Sequence, residues 1–537
     1  MSEEYQKLLR KYRKLSDRHV LRVEANLSHQ DKCKIFHYAD KLRKAGNELT
    51  AIMKNNYEQL IRTKQYRKLK VLYGKTTSTN NQERRKSIIK QMERMQKQYN
   101  VTWDFCRRAM IPIGQKYELN SVFALTKAED IWRGVEKCLF SKGKTLHFAK
   151  RDNLPNIRAK QLNRGIVVVV KDNQINCKIG TISFNPVIKD KFELDETNAI
   201  VKYLVNSDEK DSEAIKALIT DGTIISTYRP CYASLVCEKI RGNLKVYVCF
   251  TIEGTPKPKF KSDGTLRHKY GTGIVGCDIG TQTIAYTSDS EVGLKNLAER
   301  GSSIKHNECQ ERLIYRAMDR SRRAINPQNY NTDGTVKSGP KHWSYSNRYK
   351  KLKRKHAELC RVNAINRRLA TNEDVNHIRT LGNIFVTEPK NAKKLQMRAK
   401  NTTTNKEGKI NRKKRFGKSI KNRCPGYFQK QVEVRFKNTG GAYIEVPTNY
   451  RASQYDHTND SFEKKELSNR FYRLSDGSKI QRDWYSSFLL YNIDLSTREI
   501  DKNKCKENFY KQYAKQNALI DWIKANKIKI YNSGIKI

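Results

Sequence analysis

Acidic residues are scarce in this chain, and paired cysteines are missing from it. Against 108 lysines and arginines stand 55 aspartates and glutamates, leaving a formal charge of +53 on 537 residues. An excess of that size opposes compaction unless a polyanion offsets it. The basic residues run through the whole chain rather than collecting in a tail, so the implied partner is nucleic acid in contact with most of the molecule. The twelve cysteines are scattered singly, with no CxxC among them. That suits reduced, partly buried thiols inside a cell rather than a disulfide framework. The opening MSEEYQKLLRKYRKLSDRHV lacks the apolar core of a signal peptide. No apolar run approaches membrane-spanning length; GIVVVV at 165–170 is of strand length. No amphipathic anchor or lipidation motif supports a basic membrane-surface protein. The expectation is a soluble, cytoplasmic protein.

What is present is enough apolar material, 37% of residues, for real cores, over a length that suggests roughly three or four domains. Residues 1–15 read as a helix and HVLRVEANL (19–27) as a short strand. From 28 to 150 apolar residues recur at three- and four-residue spacing while the other faces carry Lys and Arg, predicting a basic helical region. From 158 to 255 the pattern turns to strands, with a hairpin signal at IRGN, and predicts a β-barrel or curled sheet. Residues 254–273 read as a linker by their Gly, Pro and Lys content. A second basic helical region is expected from Leu294 to Ile378, broken by the turn-rich NPQNYNTDGTVKSGPKHW. The run 390–423 is too cationic to pack alone and predicts a loop that orders against phosphates. ENFYKQYAKQNALIDWIKA near the end predicts a packed helix.

Three carboxylates interrupt this positive text. Asp278 lies inside the apolar strand of GIVGCDIGTQTIAYTS (273–288), where an unpaired carboxylate would be costly. Glu388 follows the short apolar strand of GNIFVTEPKN (382–391). Asp483 heads the helix of KIQRDWYSSFLLYNI (479–493), in which Trp484, Phe488 and Tyr491 recur at helical spacing. Alone, Glu388 reads as a strand end and Asp483 as an N-terminal helix acid favoured by the dipole. Together they suit phosphodiester hydrolysis, which needs an activated water and a stabilised leaving oxygen; two Mg²⁺ ions about 4 Å apart supply both, held by hard carboxylate oxygens. That is the logic of an RNase H-like nuclease.

With these residues in view, the sequence resembles TnpB nucleases and the related compact type V CRISPR effectors, RNA-guided DNA endonucleases whose RuvC-like domain is split into three pieces. VGCDIGTQTIAYTS matches the first piece with Asp278 and Gly280, NIFVTEPKN the second with Glu388, and QRDWYSSFLLYNI the third with Asp483 preceded by Arg482. The motif matches cover 274–493. The resemblance implies a multidomain α+β protein: an N-terminal helix and first barrel strand (1–27), a helical recognition region (28–150), a wedge-like β-barrel (151–255), a linker (256–273), two RuvC-like pieces with a basic connector (274–455), a degenerate zinc-ribbon-like insert (456–480) and the third piece with a C-terminal helix (481–537). It departs from the family in three places. RLSDG stands where C-x-x-C-G is expected, and Asp456, Asn459, Arg473 and Asp476 occupy the cysteine places, so no zinc is expected in that lobe and His457 reads as a loop residue. Pro389 replaces an acidic residue after Glu388, and DWYSS replaces D-x-N-A-A.

The implied site is Asp278, Glu388 and Asp483 as ligands of two Mg²⁺ ions, Mn²⁺ able to substitute, with Arg482 orienting Asp483 or touching the scissile phosphate. Arg320, Arg322, Arg323, Lys351 and Arg354 are candidate backbone contacts. The implied partners are a guide RNA, double-stranded target DNA with a short flanking motif, and single-stranded DNA, in a prokaryotic cell. The choice between transposon nuclease and antiviral CRISPR effector, and between monomer and homodimer, stays open. So do two rival readings, a nuclease-silent RNA-guided repressor and an RNase H-fold nuclease that needs no guide.

Overall fold

The computed structural model describes residues 18–76, 82–141, 143, 145–205, 228–299, 303–397, 401, 404, 416–466 and 469–537. The expected helix at 1–15 and residues 398–400, 402–403 and 405–415 of the cationic run lie outside those residues; the described ends of that run, expected as loop, include the short helices Ala392–Leu395 and Gly417–Arg423. The chain is a mixed α/β multidomain protein that divides into two compact units at residues 260/261.

In the first unit, β1 (Arg18–Ala25) precedes five helices: His29–Arg62, Lys64–Lys75, Gln82–Gln98, Trp103–Lys116 and Ser121–Phe140. Ser28, Thr63, Thr102 and Asn120 cap four of these helices with side-chain oxygens that accept from backbone N–H groups. The spaced apolar residues of the long first helix, among them Leu49, Met53, Tyr57 and Leu60, share a core with Met92, Met110 and Val135. Seven further β elements follow in this unit. β2 (Ile157–Arg158), β3 (Val167–Lys171), β4 (Gln174–Ile179), β5 (Ile182–Phe184), β6 (Pro186–Val187), β7 (Arg229–Ile240) and β8 (Asn243–Glu253) complete the first unit. They form a five-stranded antiparallel sheet, β2-β7-β8-β1-β6, and a three-stranded sheet, β3-β4-β5. The β7–β8 turn is made by Arg241 and Gly242, both at positive φ, as a two-residue hairpin needs.

Residues 158–255 are not all strand. KFELDETNAIVKYLV folds as the helix Lys191–Val205, because Ile200 and Val201 join the sheet core on one face while Glu196 is satisfied inside. Its carboxylate accepts from His19 at 2.8 Å, from the Lys257 N–H at 2.6 Å and from the Tyr228 hydroxyl.

The second unit is organised by β9 (Ile274–Ile279), β10 (Thr283–Thr287), β11 (Val292–Asn296), β12 (Ile384–Thr387) and β13 (Ala442–Glu445), in the order β11-β10-β9-β12-β13. The first three are antiparallel; β12 runs parallel to both β9 and β13. The helical region expected to begin at Leu294 begins instead at Ser303; Leu294 pairs in β11 opposite Ala285, because it packs with Ile523 and Ile530 of the C-terminal segment. The basic connector consists of the helices Ser303–Ile325 and Asn347–Leu381. Residues 425–438 and 482–491 form two shorter helices and 502–525 a long one. Two small hairpins, β14 (Tyr455–Asp456) with β15 (Ser461–Phe462) and β16 (Phe471–Arg473) with β17 (Lys479–Gln481), lie between β13 and the 482–491 helix.

Strand parity sorts this core. Val275, Cys277, Ile279 and Phe385 face Phe428, Val432 and Phe436 of the Pro425–Asn438 helix. Ile274, Ile384 and Val386 face the opposite layer, with Trp484, Phe488 and Leu489. A sheet buried on both faces reads as a continuous apolar run, which is why β9 and β12 look uniformly hydrophobic in sequence.

Candidate active site

Asp278 and Glu388 owe their positions to that parity. Residues 274, 276 and 278 lie on one face of β9, and 384, 386 and 388 continue the same face along its parallel neighbour. Both carboxylates therefore point to the layer that holds the Arg482–Tyr491 helix. That helix is seated directly on β9 at Gly276: a Cβ there would lie 2.2 Å from the Tyr491 nitrogen and 2.3 Å from the Ser487 carbonyl oxygen. Only glycine permits this approach. A hydroxyl pair, Thr287 Oγ1 and Ser487 Oγ at 2.8 Å, fixes the helix against β10. Gln481 caps the helix by accepting from the Trp484 N–H at 2.7 Å, and Asp483 stands in its first turn.

The three acids share one electrostatic environment. Burial and then the negative charge of Asp278 push the Asp483 carboxyl up to about 6. The same two causes, in the same order, raise Glu388 above the usual carboxylate range. Cations partly offset them. Lys390 Nζ lies 3.4 Å from Asp278 Oδ1 and also donates to the Ile279 carbonyl. Arg470 approaches Asp483 Oδ1 at 3.6 Å. Arg482 adds a weaker favourable charge to both Glu388 and Asp483, and its own guanidinium donates to the Glu466 carbonyl at 3.4 Å. The Ala452 N–H is 3.3 Å from Glu388 Oε1.

Hard oxygen donors, half-buried and close enough to repel one another, are the donor set that Mg²⁺ takes; burial first, and then the charge of Asp278, raises the Glu388 and Asp483 carboxyls. Lys390 escaped the sequence reading, although parity offered a signal: it lies two places beyond Glu388. Arg470 and Arg379 carried no such signal. The Arg379 guanidinium is 4% exposed; it donates to the carbonyls of Gly271, Gly382 and Thr439 and to Thr439 Oγ1, at 2.7–3.0 Å. This pins the entrance of β12, and through it Glu388.

The candidate backbone contacts divide. Arg320, Lys351 and Arg354 are exposed on the connector helices. Arg322 and Arg323 both pair with Asp319, at 2.8 and 2.7 Å, and cover Trp343 and Tyr330, so they also hold the connector's loop to its helix. In the lobe of the two small hairpins, Asp456 accepts from the backbone and hydroxyls of Thr458 and Ser475 at 2.6–3.1 Å. Asn459 donates to Ser475 Oγ at 2.6 Å, Arg473 to the Gly477 carbonyl at 2.9 Å, and Asp476 accepts from the Ser478 N–H at 2.9 Å. His457 lies in the turn after β14, as a loop residue, but it is buried there, 2.8 Å from the Tyr485 hydroxyl and packed on Phe509.

No described helix is long and apolar enough to cross a membrane. No protein-family model matches the chain, and no curated protein matches it. Among solved structures the chain is similar to a Cas12f1 complex with sgRNA and target DNA, at 10% identity and a TM-score of 0.38, over 89% of this chain and 99% of that one. It is also similar to a CRISPR-Cas12f ternary complex, at 13% identity and a TM-score of 0.25, over 92% and 85% of the two chains. A Cas12i1 R-loop complex before target DNA cleavage follows, at 9% identity and a TM-score of 0.26, over 80% and 57%. The structural neighbours are thus Cas12f1 and Cas12i1 complexes, compact type V CRISPR effectors, at about 10% identity.

Proposed function

We propose that this chain is an RNA-guided DNA endonuclease that cleaves target DNA by Mg²⁺-dependent hydrolysis at a RuvC-like site. The observation that carries the reading is the convergence of Asp278, Glu388 and Asp483 on one layer of the sheet, from three stretches far apart in the chain. The antiparallel β9-β10-β11 unit followed by parallel β12 and β13 supports an RNase H-like domain. The charge of +53 and the matching motifs support a guide RNA and target DNA as partners.

Asp278, Glu388 and Asp483 would hold the metal. When bound, the ions supply an activated water and stabilise the leaving oxygen. The protein's own part is positional: β9 and β12 fix two carboxylates in register, and the helix seated on Gly276 fixes the third. Lys390 and Arg470, the cations beside Asp278 and Asp483, would be released by a bound metal to contact a phosphate. Base pairing supplies sequence specificity, and the protein grips the heteroduplex by shape and phosphate contacts.

Lys390 on Asp278 favours one second reading, a nuclease-silent RNA-guided binder in which the ammonium permanently replaces the metal. Both are tested by expressing the chain with its native flanking DNA and sequencing the RNA that copurifies. A matched target is then supplied with Mg²⁺ or EDTA, for wild type and Asp278→Ala. Mg²⁺-dependent cutting that vanishes in the variant supports the nuclease. Binding without cutting moves the reading to the silent binder, and cutting without any discrete RNA moves it to an unguided nuclease.

A further inference from the structure

The connector between β11 and β12 carries a cluster that the nuclease reading does not use. His356 and Cys360 stand four residues apart on the Asn347–Leu381 helix, hence on one face, and Glu311 meets them from the Ser303–Ile325 helix. Glu311 Oε1 lies 3.5 Å from His356 Nε2, and Cys360 Sγ lies 3.5 Å from the same nitrogen. One donor atom from each of the three residues falls within 4.8 Å of the others, and all three are half-buried. The carboxylate–imidazole separation is long for a hydrogen bond, which closes to roughly 2.7–3.2 Å. It fits the edge of a coordination tetrahedron: ligand atoms about 2.0–2.3 Å from a zinc ion stand about 3.3–3.8 Å apart. The Tyr315 ring, 4.4 Å from the His356 ring, packs against the imidazole and limits its rotation. Lys421 Nζ reaches Glu311 Oε1 at 3.4 Å from a largely exposed side chain that is free to withdraw.

We propose that Glu311, His356 and Cys360 form a zinc site that clasps the two connector helices, with water as the fourth ligand. A thiolate and an imidazole select Zn²⁺ over the hard ions suited to the carboxylate trio. Binding deprotonates Cys360, and the proton leaves to solvent. The site differs from the lobe at 456–480, where no cysteine stands. It also stands whether or not the chain cuts DNA.

The same His-x-x-x-Cys spacing recurs at His29 and Cys33, 3.6 Å apart on an exposed helix face. No third donor joins that pair among the described residues, so it is the internal control. The purified full chain with its RNA is stripped of metal, then titrated with Zn²⁺ against a chromogenic chelator and separately with Co²⁺. Wild type and Cys33→Ser are expected to take up one zinc and to show a thiolate-to-cobalt absorption in the near ultraviolet. Cys360→Ser and His356→Gln are expected to lose at least about a hundredfold in zinc affinity, and Cys360→Ser to lose the absorption. Added zinc should raise the unfolding temperature of wild type and leave Cys360→Ser where it stands in chelator. Absence of the thiolate–cobalt absorption from wild type, or zinc held equally by Cys360→Ser, overturns the proposal. The first of these needs no variant to fold.

Discussion

Asp483 sits where its own charge is unwelcome until a cation arrives. Its carboxyl is pushed up to about 6 by burial and by Asp278, above its unfolded value near 3.9. Between those two values the folded protein binds the extra proton, so the stability this group contributes is present below about pH 4 and is lost as pH rises through about 6. In metal-free protein, the difference in unfolding temperature between wild type and Asp483→Asn should therefore move against wild type from pH 4 to pH 7. Mg²⁺ should reverse that difference at pH 7.5, and its affinity should fall roughly tenfold for each pH unit below about 6. A flat difference across that range would show that burial and Asp278 do not raise the Asp483 carboxyl. Asp278→Asn should cut cleavage by at least about a hundredfold, as loss of a charge-stabilising group does, and leave target binding intact in a gel-shift assay. Asp278 was legible because it interrupts an apolar strand, whereas Glu388 and Asp483 each have an ordinary reading alone and become candidates only as members of a trio. Arg470 was not legible, because a loop has no period to read, and Arg379 was not, because a helix-end arginine usually meets water.

At the scale of elements, the seating of the Arg482–Tyr491 helix on Gly276 makes one small residue decisive. Gly276→Ala should destabilise the second unit by about 3 kcal/mol or more, since the new methyl meets backbone rather than a flexible side chain. Denaturant unfolding measures this, and cleavage should fall with it because Asp483 rides on that helix. Arg379→Lys should cost about 2–4 kcal/mol: one ammonium cannot serve four acceptors spread over three loops. An unchanged midpoint for either variant would remove the argument for that contact. The long elements were readable from periodicity alone. The misses were short or mixed: β11 offers only Val292 and Leu294 as apolar residues, and the Lys191–Val205 helix hides its start behind an acidic stretch whose buried Glu196 is explained by His19, far away in sequence.

For the molecule as a whole, the charge of +53 sets the terms of binding. Guide RNA affinity should drop by about 10³-fold or more between 50 and 200 mM salt, the loss expected when six or more phosphates are neutralised. A filter-binding series gives the slope, and a weak salt dependence would argue that the basic surface serves something other than a polyanion. RNA should also raise the unfolding temperature, since it relieves the protein's self-repulsion. Composition made that partner class legible. It left the division at residues 260/261 to the structure, because the linker text around it has no period of its own.

The order of synthesis gives the site a delay. β9, β10 and β11 are complete by residue 296 of 537, yet their uncovered face waits for the Arg482–Tyr491 helix and for Gln512, Lys529 and Tyr531, which bond to Ser288 and Asn296. On the proposed function a nascent chain would therefore hold nucleic acid before it could cut, and it carries an uncovered apolar sheet face from residue 296 until the helix at 482 emerges. On that reading, a message broken between codons 388 and 483 would yield a protein that competes for RNA but lacks the third acid. If the chain cuts as proposed, placing a removable break in that interval would leave it silent until a short second polypeptide restores it.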